Sequence, residues 1–507
     1  EPIPDRAAEQ VANRGGGFSF AVTPWVQAER FLILGCEGPT YYATEKEMTA
    51  DNAKAVLACA QKDGLRLLRM ISDVLTQGRA AKLDAPLFAL ALLSKKGDAV
   101  ARTNVNNAVP HLLRTASQLM RYVGFQKAFG GRGAGFRRAI QEWYRCRPVK
   151  DLAYQMAKYQ NRYGFTHRDL LRISRPKVKG MDPERSILLQ WGLGKPDLVI
   201  PETEDFRCIR GMKLVRKAKD PKDAVKIVQE FRLTREMIPT EMLGTKEVLT
   251  ALLPGMPLTA MLRSLGQMGA KDVLTPFSDG VELIAQKLAS EEALKKARVH
   301  PIQVLSALAV YQRGHGVKGK LTWDINSRVI QILSEVFWKT FVTIQPTGKR
   351  HYLAIDVSSS MVVGVIAGVP GLLPCTAAAV LATLTARTEP KTYMASFCDV
   401  MLKVSLAPTV SVESLLKPNY VQGFGFTNCA LPMQDALAKN IPVDVFVVLT
   451  DNEVNTGTMH PVQALQKYRE KTGIQAKLIV VAMTSTGYSI ADPDDGGMLD
   501  VVGFDAQ

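Results

Sequence analysis

"AIDVSSSM", Ala354 to Met361, decides the fold of the C-terminal third of this 507-residue chain. An apolar run, "HYLAI", ends in the carboxylate of Asp356, and Ser358 and Ser360 follow at alternate positions. The run reads as a buried strand, and the polar cluster beyond it as a loop at that strand's carboxyl end. Three chemistries compete for the cluster: a nucleophilic serine, a phosphorylated aspartate, or a cage of oxygens around a hard cation. Further along, "TYMASF", "DVFVVLTD" and "KLIVVAM" are also apolar on both faces, as central parallel strands are. Helical segments lie between them, such as "GLLPCTAAAVLATLTARTE" and "LPMQDALAKN". The pattern predicts a doubly wound α/β domain over residues 351–507, beginning after "IQPTGKR" at 344–350.

In an open parallel sheet, ligands bind beyond the carboxyl ends of the strands. Asp356 and Asp451 both end apolar runs, and Thr427 stands between them in the glycine-rich "GFGFTNCA". With Ser358 and Ser360 they make two carboxylates and three hydroxyls, a hard oxygen set that suits Mg²⁺ or another hard divalent cation. The arrangement resembles the metal-ion-dependent adhesion site of the von Willebrand factor A domain, D-x-S-x-S followed by a distant Thr and a distant Asp. That resemblance implies a metal with one open position, often filled by a partner's carboxylate. "LTDNE" departs from the family, which often has glycine after the Asp. A serine hydrolase needs a histidine base and commonly a G-x-S-x-G elbow. The elbow is absent, and neither His351 nor His460 is placed at the crevice by the pattern. An aspartyl-phosphate enzyme would want an acid where Ser358 stands. No catalytic residue is assigned, and the chain reads as a non-enzyme.

The first 350 residues read as helix after helix. "DGLRLLRMISDVL" has apolar residues at helical spacing, and "DAPLFALALLSKKG" starts at Asp84 as N-cap. "HPIQVLSALAVYQRG" carries proline in its first turn, and Asp324 is the expected cap of "WDINSRVIQILSEVFWKTF". So many short helices over about 300 residues suit a solenoid better than one bundle. No run is long and apolar enough for a membrane span, no secretory signal opens the chain, and seven scattered cysteines without C-x-x-C argue for a reducing compartment.

The net charge is +16, but residues 351–507 hold 9 Lys and Arg against 14 Asp and Glu. Residues 121–180 hold 15 against 3, a net of +12. A block like this implies an anionic partner. "FGGRGAGFRRAIQEWYRCRPVK" follows a helical pattern, so it is not a dinucleotide loop, and its Arg132, Arg137 and Arg138 fit approach to a phosphate backbone. In "YGFTHRDLLRISRPKVKG", Thr166 and Asp169 form a capping box for a helix starting at His167. Arg168, Arg172 and Arg175 fall on one face, with His167 beside free N–H groups, a natural anion site. Lys150, Lys158, Arg162 and Lys177 extend the patch, and interleaved aromatics such as Tyr154, Tyr159 and Tyr163 offer stacking platforms for RNA bases.

"FTHRDLLRI" with "AIQEWY" upstream, "ERFLILGCEGPTYY" near the start and a C-terminal A domain together resemble the Ro autoantigen family, Y RNA-binding proteins with a TROVE module. The resemblance implies a multidomain fold: an all-α ring of HEAT-like repeats over residues 1–350, closed by the A domain. It implies Y RNA on the ring's outer surface, single-stranded 3′ ends of misfolded small RNAs in a central hole, and RNA quality control. The expectation is a monomer, cytoplasmic and also nuclear, with no membrane partner. A second class stays open: an adhesion or complex-assembly protein whose A domain binds an acidic protein ligand through the metal.

Overall fold

The structure is a computed structural model. It describes residues 2–35, 45–131, 133–177, 180–316, 320–341, 345–363, 365–366, 372–404, 406–416 and 425–504. Helices fill the first two-thirds, bounded by the devices their sequences supply. Asp63 accepts from the Arg66 N–H at 2.8 Å to start Gly64–Gln77, and Gly78 ends it in the left-handed region. Thr115 and Gln118 close a capping box on Ala116–Ala128. Two expected caps are displaced. Asp84 is the first helical residue rather than the cap, and Asn326, not Asp324, caps Ser327–Lys339 by accepting from the Arg328 N–H at 2.9 Å. At the second helix a polar residue two positions on takes the N–H group; at the first, Leu83 occupies the cap position and no side chain caps the helix.

The helical array closes on itself. Arg298 donates to the Leu75 carbonyl at 3.0 Å, His300 Nε2 lies 3.0 Å from the Arg79 carbonyl, and Gln303 donates to the Ala81 carbonyl at 3.2 Å. Contacts between residues 75–81 and 298–303 join the early helices to the late ones, giving the ring of stacked helices that the resemblance implied.

Short strands interrupt the helical region, contrary to expectation. β1 (Gln10–Ala12) and β2 (Phe18–Ala21) form a hairpin, and β3 (Asn161–Arg162) and β4 (Phe165–Thr166) form another. The C-terminal domain carries β5 (Arg350–Asp356), β6 (Lys391–Phe397), β7 (Met401–Lys403), β8 (Val445–Thr450), β9 (Lys477–Ala482), β10 (Tyr488–Ser489) and β11 (Met498–Val502). Six of them form one sheet in the order β11-β9-β8-β5-β6-β7, parallel except for the antiparallel edge strand β7. Helix Pro374–Thr388 covers one face, and Leu431–Ala438 and Pro461–Thr472 cover the other. Alternation along β5 divides the cores: Leu353 and Ile355 join the apolar mass that continues into the ring, while Tyr352 and Ala354 face the other side.

The two parts are tied at both ends. β10 pairs with β2, so the first hairpin belongs to a three-stranded sheet shared with the A domain. Arg30, wholly buried in helix Pro24–Leu34, pairs with Asp500 and donates to the carbonyls of Thr486 and Tyr488 at 2.9 and 3.0 Å.

Candidate metal centre and nucleic-acid interface

β5 and β8 are adjacent and parallel, so Asp356 and Asp451 reach the same edge of the sheet. All five predicted cage residues are buried there. One Asp356 oxygen accepts from the Ser358 N–H at 2.9 Å, and the other from the Thr450 hydroxyl at 2.6 Å. The Ser358 and Ser360 hydroxyls are 3.2 Å apart. Asn455 brings in Thr427: its side-chain oxygen accepts from the Thr427 N–H at 2.6 Å and its own N–H donates to the Thr427 carbonyl at 3.1 Å. The Thr427 hydroxyl is buried without a hydrogen-bond partner, which makes it a free donor atom in this cluster.

Burial raises the pKa of Asp356. Asp451 is held well above the usual carboxylate range by burial, then by the charges of Asp356 and Glu453, against a hydrogen bond from Ser360. Two buried carboxylates close enough to repel, with the hydroxyls of Ser358, Ser360 and Thr427 beside them, suit a hard divalent cation. The donors fit Mg²⁺; Asp356, Ser358, Ser360, Thr427 and Asp451 are the residues that would hold it. Among the described residues no group of three or more His, Cys, Asp or Glu could hold a metal, so a soft or carboxylate-rich site is not offered elsewhere.

The departure at "LTDNE" has a physical answer. Asn452 takes φ +66, the left-handed conformation that glycine commonly supplies and asparagine tolerates, and its side-chain oxygen accepts from the Ile490 N–H at 3.0 Å. Sequence reasoning missed Thr450 and Glu453. Thr450 holds Asp356; Glu453 is buried against the first hairpin, accepting from the Gly15 N–H at 3.0 Å and from the Tyr488 hydroxyl. Only their flanking of Asp451 could have pointed to them.

Arg137, Arg138, Arg168 and Arg172 fall on two packed helices, Ala134–Arg145 and His167–Ser174, while Lys150 and Lys158 lie on helix Val149–Lys158 and Arg162 in β3. Gln141 of the first donates to the Ser174 carbonyl at the end of the second, 2.5 Å away, while Tyr144 meets its start. Arg137, Arg138, Arg168, Arg172, Arg175 and Lys177 are exposed, and none is in an ion pair among the described residues. Arg168 and Arg172 share the face opposite the buried Leu170 and Leu171. Arg175 lies past the helix end, at φ +51, rather than one turn further along that face. Lys150 is exposed but lies 3.5 Å from Glu204, and Arg162 is half-buried. Arg132 and part of the "ERFLILGCEGPTYY" stretch lie outside the described residues.

Two expected contacts are turned inward. His167 is buried, with Nδ1 2.7 Å from the Tyr144 hydroxyl, and burial lowers its pKa to about 4, so the imidazole is neutral. It cannot meet a phosphate from the surface, and it fixes the helix start instead. The capping box also removes the anion site read there. Asp169 accepts from the Thr166 N–H at 2.9 Å and places a carboxylate at that helix N-terminus. Lys158 is buried as well, its ammonium 3.3 Å from the Tyr154 hydroxyl and over the Tyr159 ring. Of the interleaved aromatics, Trp143 and Tyr144 are core, whereas Tyr163 is exposed at the tip of the β3–β4 hairpin with Arg121 4.8 Å from its ring centre.

Family models match across both parts. The TROVE domain matches residues 11–191 and 225–344, and the Ro60 vWA domain matches 350–507. The chain belongs to the TROVE-domain Ro60 family. It is 38% identical to the RNA-binding protein RO60 of Deinococcus radiodurans over 501 residues, covering 98% of this chain and 93% of that protein. The RNA-binding protein RO60 of Caenorhabditis elegans is 32% identical over 575 residues, covering 98% and 88%. The crystal structure of the Deinococcus radiodurans RO (RSR) protein aligns with a TM-score of 0.71 at 38% identity, covering 96% of this chain and 97% of that one.

Proposed function

We propose that this chain is a non-catalytic RNA-binding scaffold. The observation that carries the reading is the set of exposed arginines on two packed helices, Arg137 and Arg138 on one and Arg168 and Arg172 on the other, unpaired among the described residues. Their charge is not taken up in an ion pair among the described residues, which leaves it open to a phosphate backbone. Two relatives named RNA-binding proteins, matched nearly end to end, support the same reading. In its finer form, a Y RNA lies on this outer basic surface, single-stranded 3′ ends of misfolded small RNAs enter the hole of the ring, and the protein serves RNA quality control in the cytoplasm and nucleus. Phosphate contacts set affinity here, and the exposed Tyr163 ring is the stacking platform.

Mg²⁺ would be held by Asp356, Ser358, Ser360, Thr427 and Asp451. Bound there, it supplies a positive Lewis-acidic centre at the sheet edge that can accept a partner's oxygen. Thr450 orients Asp356, Asn455 orients Thr427, and Glu453 ties the loop to the ring. The free Thr427 hydroxyl also favours the second reading, a protein-assembly site for an acidic ligand through the metal.

The test is to isolate the full chain from its own cells and sequence what RNA comes with it. A small structured RNA enriched well above total RNA supports the proposal. Recovery of an acidic protein with no RNA enrichment supports the assembly reading instead.

A further inference from the structure

A small cavity of about 110 Å³ lies where residues 233–236 pack against helix Leu258–Gly269. Ligand pockets for whole nucleotide-sized molecules run to about 300–1,000 Å³. A space of this size takes one compact group. Its polar walls come from different elements. Thr234 lines it, more than nine-tenths buried and with its hydroxyl lacking a hydrogen-bond partner. Arg235 lines it, with its guanidinium held 3.2 Å from the hydroxyl of the buried Ser264. Arg263 stands exposed at the rim, and neither arginine forms an ion pair among the described residues.

The floor is the N-terminal turn of the Leu258–Gly269 helix. Gly255, Pro257 and Ala260 line the cavity, and no side chain caps this helix. The Ala260 N–H there already bonds the Pro257 carbonyl at 3.0 Å, so the helix start contributes the positive end of its dipole rather than a free N–H group. A hydroxyl without a partner, two cations and the positive end of a helix dipole around one compact cavity share one complement, a tetrahedral oxyanion. Glu236 is the acidic group in the wall, and its charge also reaches the phenols of Tyr154 and Tyr159.

The cavity adjoins the basic region. Gln160 donates to the Glu236 carbonyl at 3.3 Å and accepts from Arg216 at 2.9 Å, linking the cavity wall to the 121–180 segment. We propose that the Thr234–Arg235–Arg263 cavity seats one phosphate group of a single-stranded RNA. This rests on the RNA-binding reading above and adds a site that the sequence patch does not include.

The experiment uses the full chain and the variants Arg263→Gln and Thr234→Val, each first shown to unfold at the wild-type temperature. A single-stranded oligouridylate is titrated at several salt concentrations, and inorganic phosphate is titrated separately by thermal shift. Arg263→Gln is expected to lower the salt slope by about one. Thr234→Val is expected to weaken binding by about tenfold with the slope unchanged, since it removes a neutral donor to a charged group. Wild-type RNA affinity and slope in both variants overturn the proposal. So does stabilisation by inorganic phosphate that Thr234→Val abolishes while RNA affinity holds, because the seat then belongs to a free anion. A wild-type protein that binds no RNA brings down the general RNA reading first, and the proposal with it.

Discussion

His167 offers a quantitative test of which basic residues face the RNA. Its folded pKa of about 4 lies below the unfolded value of about 6.5, so the unfolded chain binds the proton more tightly. The stability gained by keeping this imidazole neutral is therefore complete above pH 6.5 and is lost as pH falls toward 4. Because the group is buried, little solvent screening reduces the effect. At pH 5 the two pKa values give a loss of about 2 kcal/mol relative to neutral pH. His167→Asn keeps a polar atom near the Tyr144 hydroxyl and removes the titration. Urea unfolding of wild type and variant at pH 7 and pH 5 isolates the difference, since His460, also lowered to about 4 by burial, titrates in both. Wild type should lose about 2 kcal/mol more than the variant. The salt slope of RNA binding should be the same in both at pH 7. Equal acid losses, or an imidazole seen by NMR to titrate near 6.5, would refute the buried, neutral assignment.

Other expectations follow from the same contacts. Thr427→Val should weaken Mg²⁺ binding in calorimetry by at least tenfold while leaving the fold intact, because the hydroxyl it removes bonds to nothing else in the protein. Arg30→Leu leaves Asp500 without its buried partner and should cost about 3–5 kcal/mol, seen in denaturation and as faster hydrogen exchange at residues 18–21 and 488–500. Tyr163→Ala should weaken single-stranded RNA binding by about 1–3 kcal/mol with no change in salt slope; a changed slope would show that Arg121 beneath the ring makes the contact.

The convergence of Asp356 and Asp451 on one sheet edge was legible because its signal is local and ordered: each predicted strand ends at its acid, and parallel pairing of β5 with β8 brings the two ends together. Thr450 and Glu453 were not legible, because their partners, Asp356 and Gly15, are distant in the chain. The first hairpin escaped for a similar reason. Strands of three and four residues carry almost no periodicity, and β2 is stabilised by β10, some 470 residues later. The β3–β4 hairpin turns through Tyr163 and Gly164, both at positive φ, where the usual pair is Asn-Gly or Asp-Gly. Charge clustering located the basic surface but could not orient it. Burial, which only packing decides, took His167 and Lys158 out of it.

The most direct measurement of the central claim is the salt dependence of small structured RNA binding to Arg168→Ala/Arg172→Ala. Both side chains are exposed on one helix face, away from the buried leucines, so the fold should be unaffected. Each lost phosphate contact lowers the slope by about one, so the double variant should bind more weakly with a slope smaller by about two. Unchanged affinity and slope would mean that this face is merely solvated and that the RNA lies elsewhere.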